Sequence, residues 1–304
     1  MANEAQDAGI WNQLSKSISD TIEAVQGSVV AVASGGRSST SGVVWRSGVV
    51  VTTLQGVRRR EGIEVLHRGE PVGASLIGVD PTTDLAVLRI ASDLVPVQSV
   101  TDGDLRAGQV VLAVGRSRLG DISAACGIVA RTGKAWRTWR GGQIDRLIRP
   151  DVQLYVGQEG SALVCEKRQV LGINSTALAR QAVITIPAQT IDRVVDALIE
   201  RGHMPRPFLG IAMQPVPVPE PVRSFFAEDA EQALLITHVE PKAPAAVAGV
   251  MVGDLILSVG GESVPGVREI LNRLANLRIG DTISLVVIRG GAEVDLTVGI
   301  ADRG

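Results

Sequence analysis

At 304 residues the chain is too long for one ordinary domain, and two or three are expected. With 45% apolar and 20% charged residues it has the composition of a folded globular protein, and a formal charge of −2 gives no global attraction to nucleic acid or an anionic membrane. No apolar run reaches the roughly 18 residues that a membrane span needs.

The opening residues, MANEAQDAGIW, lack the basic and apolar regions of a signal peptide. The two cysteines, Cys126 and Cys165, are too few for a disulfide framework. Both observations lead to the expectation of a cytoplasmic protein. Ile10, Leu14, Ile18, Ile22 and Val25 then form a helical stripe, so residues 1–26 are read as an amphipathic extension. From Gly27 the period changes. Short Val/Ile-rich runs (SVVAVA, SGVVW, GVVVTT, ASLIGV, LAVLRI, QVVLAVG, ACGIVA, LVCEK, QVLGINST, AVITIPA) alternate with turns, the pattern of an all-β barrel or sandwich. A helix over 189–201 closes this region. The Pro/Gly stretch 202–207 is a linker, and residues 208–302 form a second unit. That unit has strands FLGIAM, LLITHV, LILSVGG, ISLVVIRG and EVDLTVGI, a helix over 267–277, and PVPVPEP at 215–221 as a loop. Arg58–Arg60 is read as a solvated turn.

Three segments are more specific. They are GVDPTTDLAVLRI at 78–90, DVQLYVGQEGSAL at 151–163 and ITIPA at 184–188. In order and spacing they resemble the HtrA/Deg (DegP-like) family of trypsin-fold serine proteases. The resemblance implies a mainly β fold: a double six-stranded antiparallel β-barrel over 27–201. It puts the triad positions at Gln55, Asp84 and Glu159, and the oxyanion-hole amides at Gly157 and Glu159. Peptide hydrolysis of that type needs a hydroxyl nucleophile and an imidazole base. Here an amide stands at the base position and a carboxylate at the nucleophile position. Neither His67, His203, His238 nor Ser161 falls where it could substitute. The sequence therefore leads to the expectation of a pseudoprotease that is no longer an enzyme, with no metal or other cofactor. A Glu159 carboxylate lying against the oxyanion-hole amides would plug the site. The resemblance also implies that Cys126 and Cys165 are neighbours in space.

The second unit resembles the PDZ domains of that family, through Phe208-Leu209-Gly210-Ile211 and the PAAVAGVMVGDLILSV run at 244–259. Such domains capture C-terminal peptides by β-augmentation. The loop of Phe208, Leu209, Gly210 and Ile211 would take the carboxylate, with Val267, Ile270, Leu271 and Leu274 on the helix as the apolar wall. Polypeptide ligands are the expected partners. The resemblance implies a homotrimer, and assembly with active relatives would be a variant of it. Two alternatives stay open. One is an active hydrolase rebuilt on Asp84 and Glu159. The other is an adaptor for anions through the basic segment 131–149, with Arg131, Lys134, Trp136, Arg137, Trp139 and Arg140; nucleic acid is the less favoured ligand.

Overall fold

The computed structural model describes residues 2–35, 38–57, 59, 61–100, 104–274 and 277–303, with side chains from residue 9 onward. Arg58 and Arg60, and residues 275–276 of the expected helix, lie outside the described residues. The chain divides into two compact units, Met1–Met204 and Pro205–Gly304.

The first unit begins with α1 (Ala2–Val25). Ile18 and Ile22 pack on the core, whereas Ile10, Trp11 and Leu14 remain exposed. Strands β1 (Val29–Ser34), β2 (Thr40–Arg46), β3 (Val49–Thr53), β4 (Ile63–His67), β5 (Glu70–Asp80) and β6 (Leu85–Ile90) close a barrel in the order β1-β2-β3-β6-β5-β4. Next come β7 (Val110–Arg116), β8 (Ile122–Gly133), β9 (Trp136–Arg137), β10 (Gln143–Ile144), β11 (Leu147–Asp151), β12 (Ala162–Cys165), β13 (Val170–Ser175) and β14 (Ile184–Pro187). Six of them close a second barrel in the order β11-β14-β13-β12-β7-β8, and β9 pairs with β10 as a small ribbon. Helix α2 (Ala188–Arg201) buries Ile191, Val194, Val195 and Leu198 against the barrels. It ends at Gly202, whose φ of 77° and amide bond to the Leu198 carbonyl make a left-handed cap. Trp45 Nε1 donates to Asp192 at 2.8 Å and pins the helix to the first barrel. All pairings within both barrels are antiparallel, as a resemblance to the trypsin fold implies. Glu64 and His67 interrupt the apolar run of β4 and Pro150 that of β11, so neither strand carries a clear signal in the sequence.

The two cysteines are not neighbours. Cys126 on β8 pairs with Leu112 and Cys165 on β12 with Val111, so β7 runs between them. Two strand spacings of about 4.8 Å each exceed the reach of a disulfide. Both thiols are free.

The second unit contains β15 (Pro207–Phe208), β16 (Ile211–Pro217), β17 (Gln232–Val239), α3 (Pro244–Val247), β18 (Leu255–Val259), β19 (Glu262–Ser263), α4 (Val267–Leu274), β20 (Thr282–Arg289), β21 (Ala292–Gly299) and β22 (Ala301–Asp302). Its main sheet runs β16-β17-β18-β20-β21, and β15 pairs with β22. Pro215–Pro217 is not loop but strand, paired with β17. Prolines fit there because β16 is an edge strand. Leu234, Ile236, Ile256, Ile270 and Leu285 fill a separate core. No helix among the described residues is long and apolar enough to cross a membrane.

Candidate active site and peptide groove

The turn between β5 and β6 carries Asp84. Asp80 builds it: one carboxylate oxygen accepts the Thr82 amide at 2.9 Å and the Thr82 hydroxyl at 2.6 Å, the other the Thr83 hydroxyl at 2.7 Å. Asp84 then takes a φ of 60°, which aspartate tolerates better than most residues. Its buried carboxylate accepts the Ser175 hydroxyl at 2.7 Å and hydrogen bonds from the Gln55 backbone and side chain. Burial pushes the Asp84 carboxyl above its usual range, and those hydrogen bonds oppose the rise.

Gln55 lies on a 3₁₀ turn, Leu54–Gly56, directly after β3. Its side-chain amide bonds Asp84, as an imidazole would, but amide nitrogen has no basic lone pair. Of the histidines, His67 Nε2 is 3.1 Å from the Gly27 carbonyl, His203 Nδ1 is 3.0 Å from the Arg201 carbonyl, and His238 belongs to the second unit.

Glu159 sits in a loop that Ser41 ties to the first barrel. The Ser41 hydroxyl donates to the Gly157 carbonyl at 2.7 Å, and its amide to the Glu159 carbonyl at 2.8 Å. Gly160 is required: its φ is 77°, and a Cβ would lie 2.3 Å from the Ser41 carbonyl oxygen. Buried Gln158 holds the loop from within, accepting the Tyr155 amide at 2.9 Å and donating to Ser123 at 3.1 Å. The Glu159 carboxylate does not fold onto the loop's own amides. It accepts the Thr176 amide and the Thr176 hydroxyl, each at 3.0 Å. Burial raises its pKa, and the charge of Asp84 adds to the rise. The Ser175 hydroxyl, whose one proton goes to Asp84, also lies close to the Glu159 carboxyl. A serine at a strand end carries no signal in the sequence until β13 is placed beside Asp84. Ser161 is buried and accepts Asn174 Nδ2 at 3.1 Å.

The basic segment is not one surface. Thr138 donates to the Thr82 carbonyl at 2.7 Å and Arg140 to the Pro81 carbonyl at 3.3 Å, so the β9–β10 ribbon buttresses the Asp84 turn. Arg140 stacks on the exposed Trp139, 4.5 Å from its centroid. Trp136 is half-buried against the core, and Arg137 bonds the Gly141 carbonyl. Arg131 stands apart on β8, while Lys134 follows β8 with its carbonyl accepting the Leu147 amide.

In the second unit Gly210 has a φ of 83°, and a Cβ there would lie 2.1 Å from Ala243 Cβ. Its carbonyl accepts the Glu240 amide, and the Leu209 carbonyl accepts the Ala245 amide, which fixes the loop. Phe208 lies under Arg303, 5.6 Å from its guanidinium. Ile211 opens the edge strand β16. On α4, Ile270 and Leu274 are buried, Val267 is half-buried and Leu271 is exposed.

Two antiparallel six-stranded barrels, with Asp84 facing a glycine-flanked loop, define a trypsin-like protease domain; a PDZ domain follows it. The trypsin-like peptidase domain family matches residues 40–173 and the PDZ domain family residues 207–300. Serine protease Do-like HtrA of Lactobacillus helveticus is 32% identical over 311 residues, covering 95% of this chain and 73% of that protein. The chain belongs to the HtrA family of serine proteases. A probable periplasmic serine endoprotease DegP-like of Bartonella henselae is 34% identical, covering 77% of this chain and 47% of that protein. Its Halomonas elongata counterpart is 31% identical, covering 88% and 57%. The chain thus spans about half the length of these DegP-like relatives. Among solved structures, the HtrA-type protease AlgW with decapeptide superposes with a TM-score of 0.69 at 25% identity, covering 94% of this chain and 98% of that one. A serine endoprotease from Yersinia pestis gives 0.67 at 27%, covering 93% and 97%.

These comparisons correct two expectations. The chain cannot be set down as a non-enzyme from two substituted positions, since its relatives are named serine proteases over most of its length. The family is enzymatic, whatever stands at Gln55 and Glu159. The cytoplasmic assignment is withdrawn as well, because the DegP-like relatives are named periplasmic. Compartment is set by targeting, and neither the folded domains nor two free thiols report it.

Proposed function

We propose that this chain is an HtrA-family protein that captures polypeptides by their C-termini through its PDZ domain. In this reading the chain acts as a scaffold or regulator for the polypeptides it binds. The observation that carries it is the Leu209-Gly210-Ile211 loop leading into β16, an edge strand beside α4. An incoming strand would pair with β16, its carboxylate meeting the loop amides and its last side chain resting on Val267, Ile270 and Leu271. Calorimetric titration with a peptide ending in Val-Ala-Val tests this, beside the same peptide amidated at its C-terminus. Amidation and Gly210→Val are each expected to weaken binding at least tenfold. Equal affinity for the free and amidated peptides would overturn the reading.

Any hydrolysis in the barrels then runs on Asp84 and Glu159, since the cleft holds no hydroxyl–imidazole pair at the triad positions. Two carboxyls raised by burial can share acid and base roles. Turnover of an unfolded protein substrate should fall at least a hundredfold in Asp84→Asn or Glu159→Gln, and unchanged turnover in both would exclude that chemistry. A homotrimer is the assembly that fits the family resemblance, to be read from the mass in solution.

A further inference from the structure

A cavity of about 740 Å³ opens beside Thr176, the residue that holds the Glu159 carboxylate. On one side it is lined by Arg131 of β8 and Arg149 of β11, on the other by Gln181, Ala182 and Val183. The two arginines are direct cross-strand partners. Like charges in that register repel and lower sheet stability unless something between them is anionic. Neither guanidinium has an ion pair within 4 Å among the described residues. Asp151 shares the lining, yet it pairs with neither. Their neighbours behave differently: Arg193 is held by Asp145, and Arg146 by Thr132 and the Leu105 carbonyl. The cavity is therefore lined by two guanidinium groups from adjacent strands, neither held by an ion pair among the described residues, and such donors recognise a carboxylate.

A second cavity, lined by Trp139 and residues 176–181, shares Thr176 and Gln181 with the first. The two together make a trench along residues 176–183, with an exposed aromatic at one end and the arginine pair at the other. That shape suits an extended polypeptide more than a compact anion. We infer that the Arg131–Arg149 cavity is a specificity pocket for an acidic side chain, Glu or Asp, of a polypeptide laid across the protease domain. The inference rests on the polypeptide-binding reading, but it concerns a different site from the PDZ groove.

The test uses the whole chain and peptides blocked at both ends, so that the PDZ loop has no free carboxylate to capture. N-acetyl-Ala-Val-Glu-Ala-Val-amide and its Gln analogue are titrated calorimetrically at 50 mM and 300 mM salt. The Glu peptide is expected to bind about tenfold tighter at low salt, with the gap narrowing at high salt. In Arg131→Gln/Arg149→Gln the two peptides should bind alike. Both positions are exposed, and a melting temperature no lower than the parent's shows that the double variant folds. Equal binding of the two peptides, no binding of either, or a Glu preference that survives the double substitution would overturn the proposal. So would a single-stranded oligothymidylate that binds the pocket where the Glu peptide does not, since the arginines would then serve phosphate. If blocked peptides fail while the free Val-Ala-Val terminus still binds, the pocket is lost and the PDZ reading stands.

Discussion

Asp84 and Glu159 are both more costly to ionise in the fold than in water. Burial is the first cause for each, and for Glu159 the neighbouring Asp84 charge adds to it. Unfolded, both titrate near the ordinary carboxyl range of about 4. The folded state therefore binds these protons more tightly. Its advantage is complete below that range and is lost as pH rises through the raised folded values. Asp84→Asn/Glu159→Gln should melt higher than the parent at pH 7, by about 2–4 °C for each kcal/mol of relieved charge burial. The gap should close as pH falls toward 4. Melting curves taken across that window check it, and a gap that widens on acidification contradicts it. Identity at this scale was partly readable in the sequence. The motif placed Asp84, Gln55 and Glu159, but the partners Ser175, Thr176 and Ser41 come from segments far away in the chain.

At the scale of elements, one side chain laces the start of the first barrel to the second. Arg116 ends β7 and is 3% exposed, yet it meets no carboxylate among the described residues. Its Nε donates to the Val29 carbonyl at 2.6 Å, and its two terminal nitrogens to Gly120 at 2.7 Å and Gln26 at 2.6 Å. Arg116→Met keeps the volume but strands three carbonyls, and a buried acceptor without a donor costs about 1–3 kcal/mol. A loss of about 3 kcal/mol in urea unfolding, with the slope unchanged, is expected. A loss under 1 kcal/mol would mean that water replaces the guanidinium. Nothing in GRSRLG distinguishes this arginine from its half-buried neighbour Arg118, because two of its three acceptors, the Gln26 and Val29 carbonyls, lie about 90 residues upstream.

The whole molecule consists of two units with separate cores. Asp254 locks the second. It is 1% exposed, takes a bidentate bond from Arg289 at 2.8 and 2.7 Å, and accepts the Met251 amide at 2.8 Å. Removing one partner of such a pair costs about 3–5 kcal/mol. Asp254→Ala should therefore lower one calorimetric transition and leave the other in place, whereas Arg116→Met should do the converse. A single transition that shifts with both substitutions would show that the units unfold together.

Most of the strands, the longer helices and the family were decided by local pattern. Val/Ile runs at period two, glycines at positive φ and the GVDPTTDLAVLRI and PAAVAGVMVGD strings act within a few residues of themselves. What those strings could not determine was everything made by contact across the chain: Ser175 beside two carboxylates, Glu159 turned to Thr176, Cys126 parted from Cys165 by a strand, Arg131 facing Arg149. The physical reason is that hydrogen bonds and charge pairs depend on distances of a few ångströms between residues tens of positions apart. Barrel closure sets those distances, and sequence pattern does not.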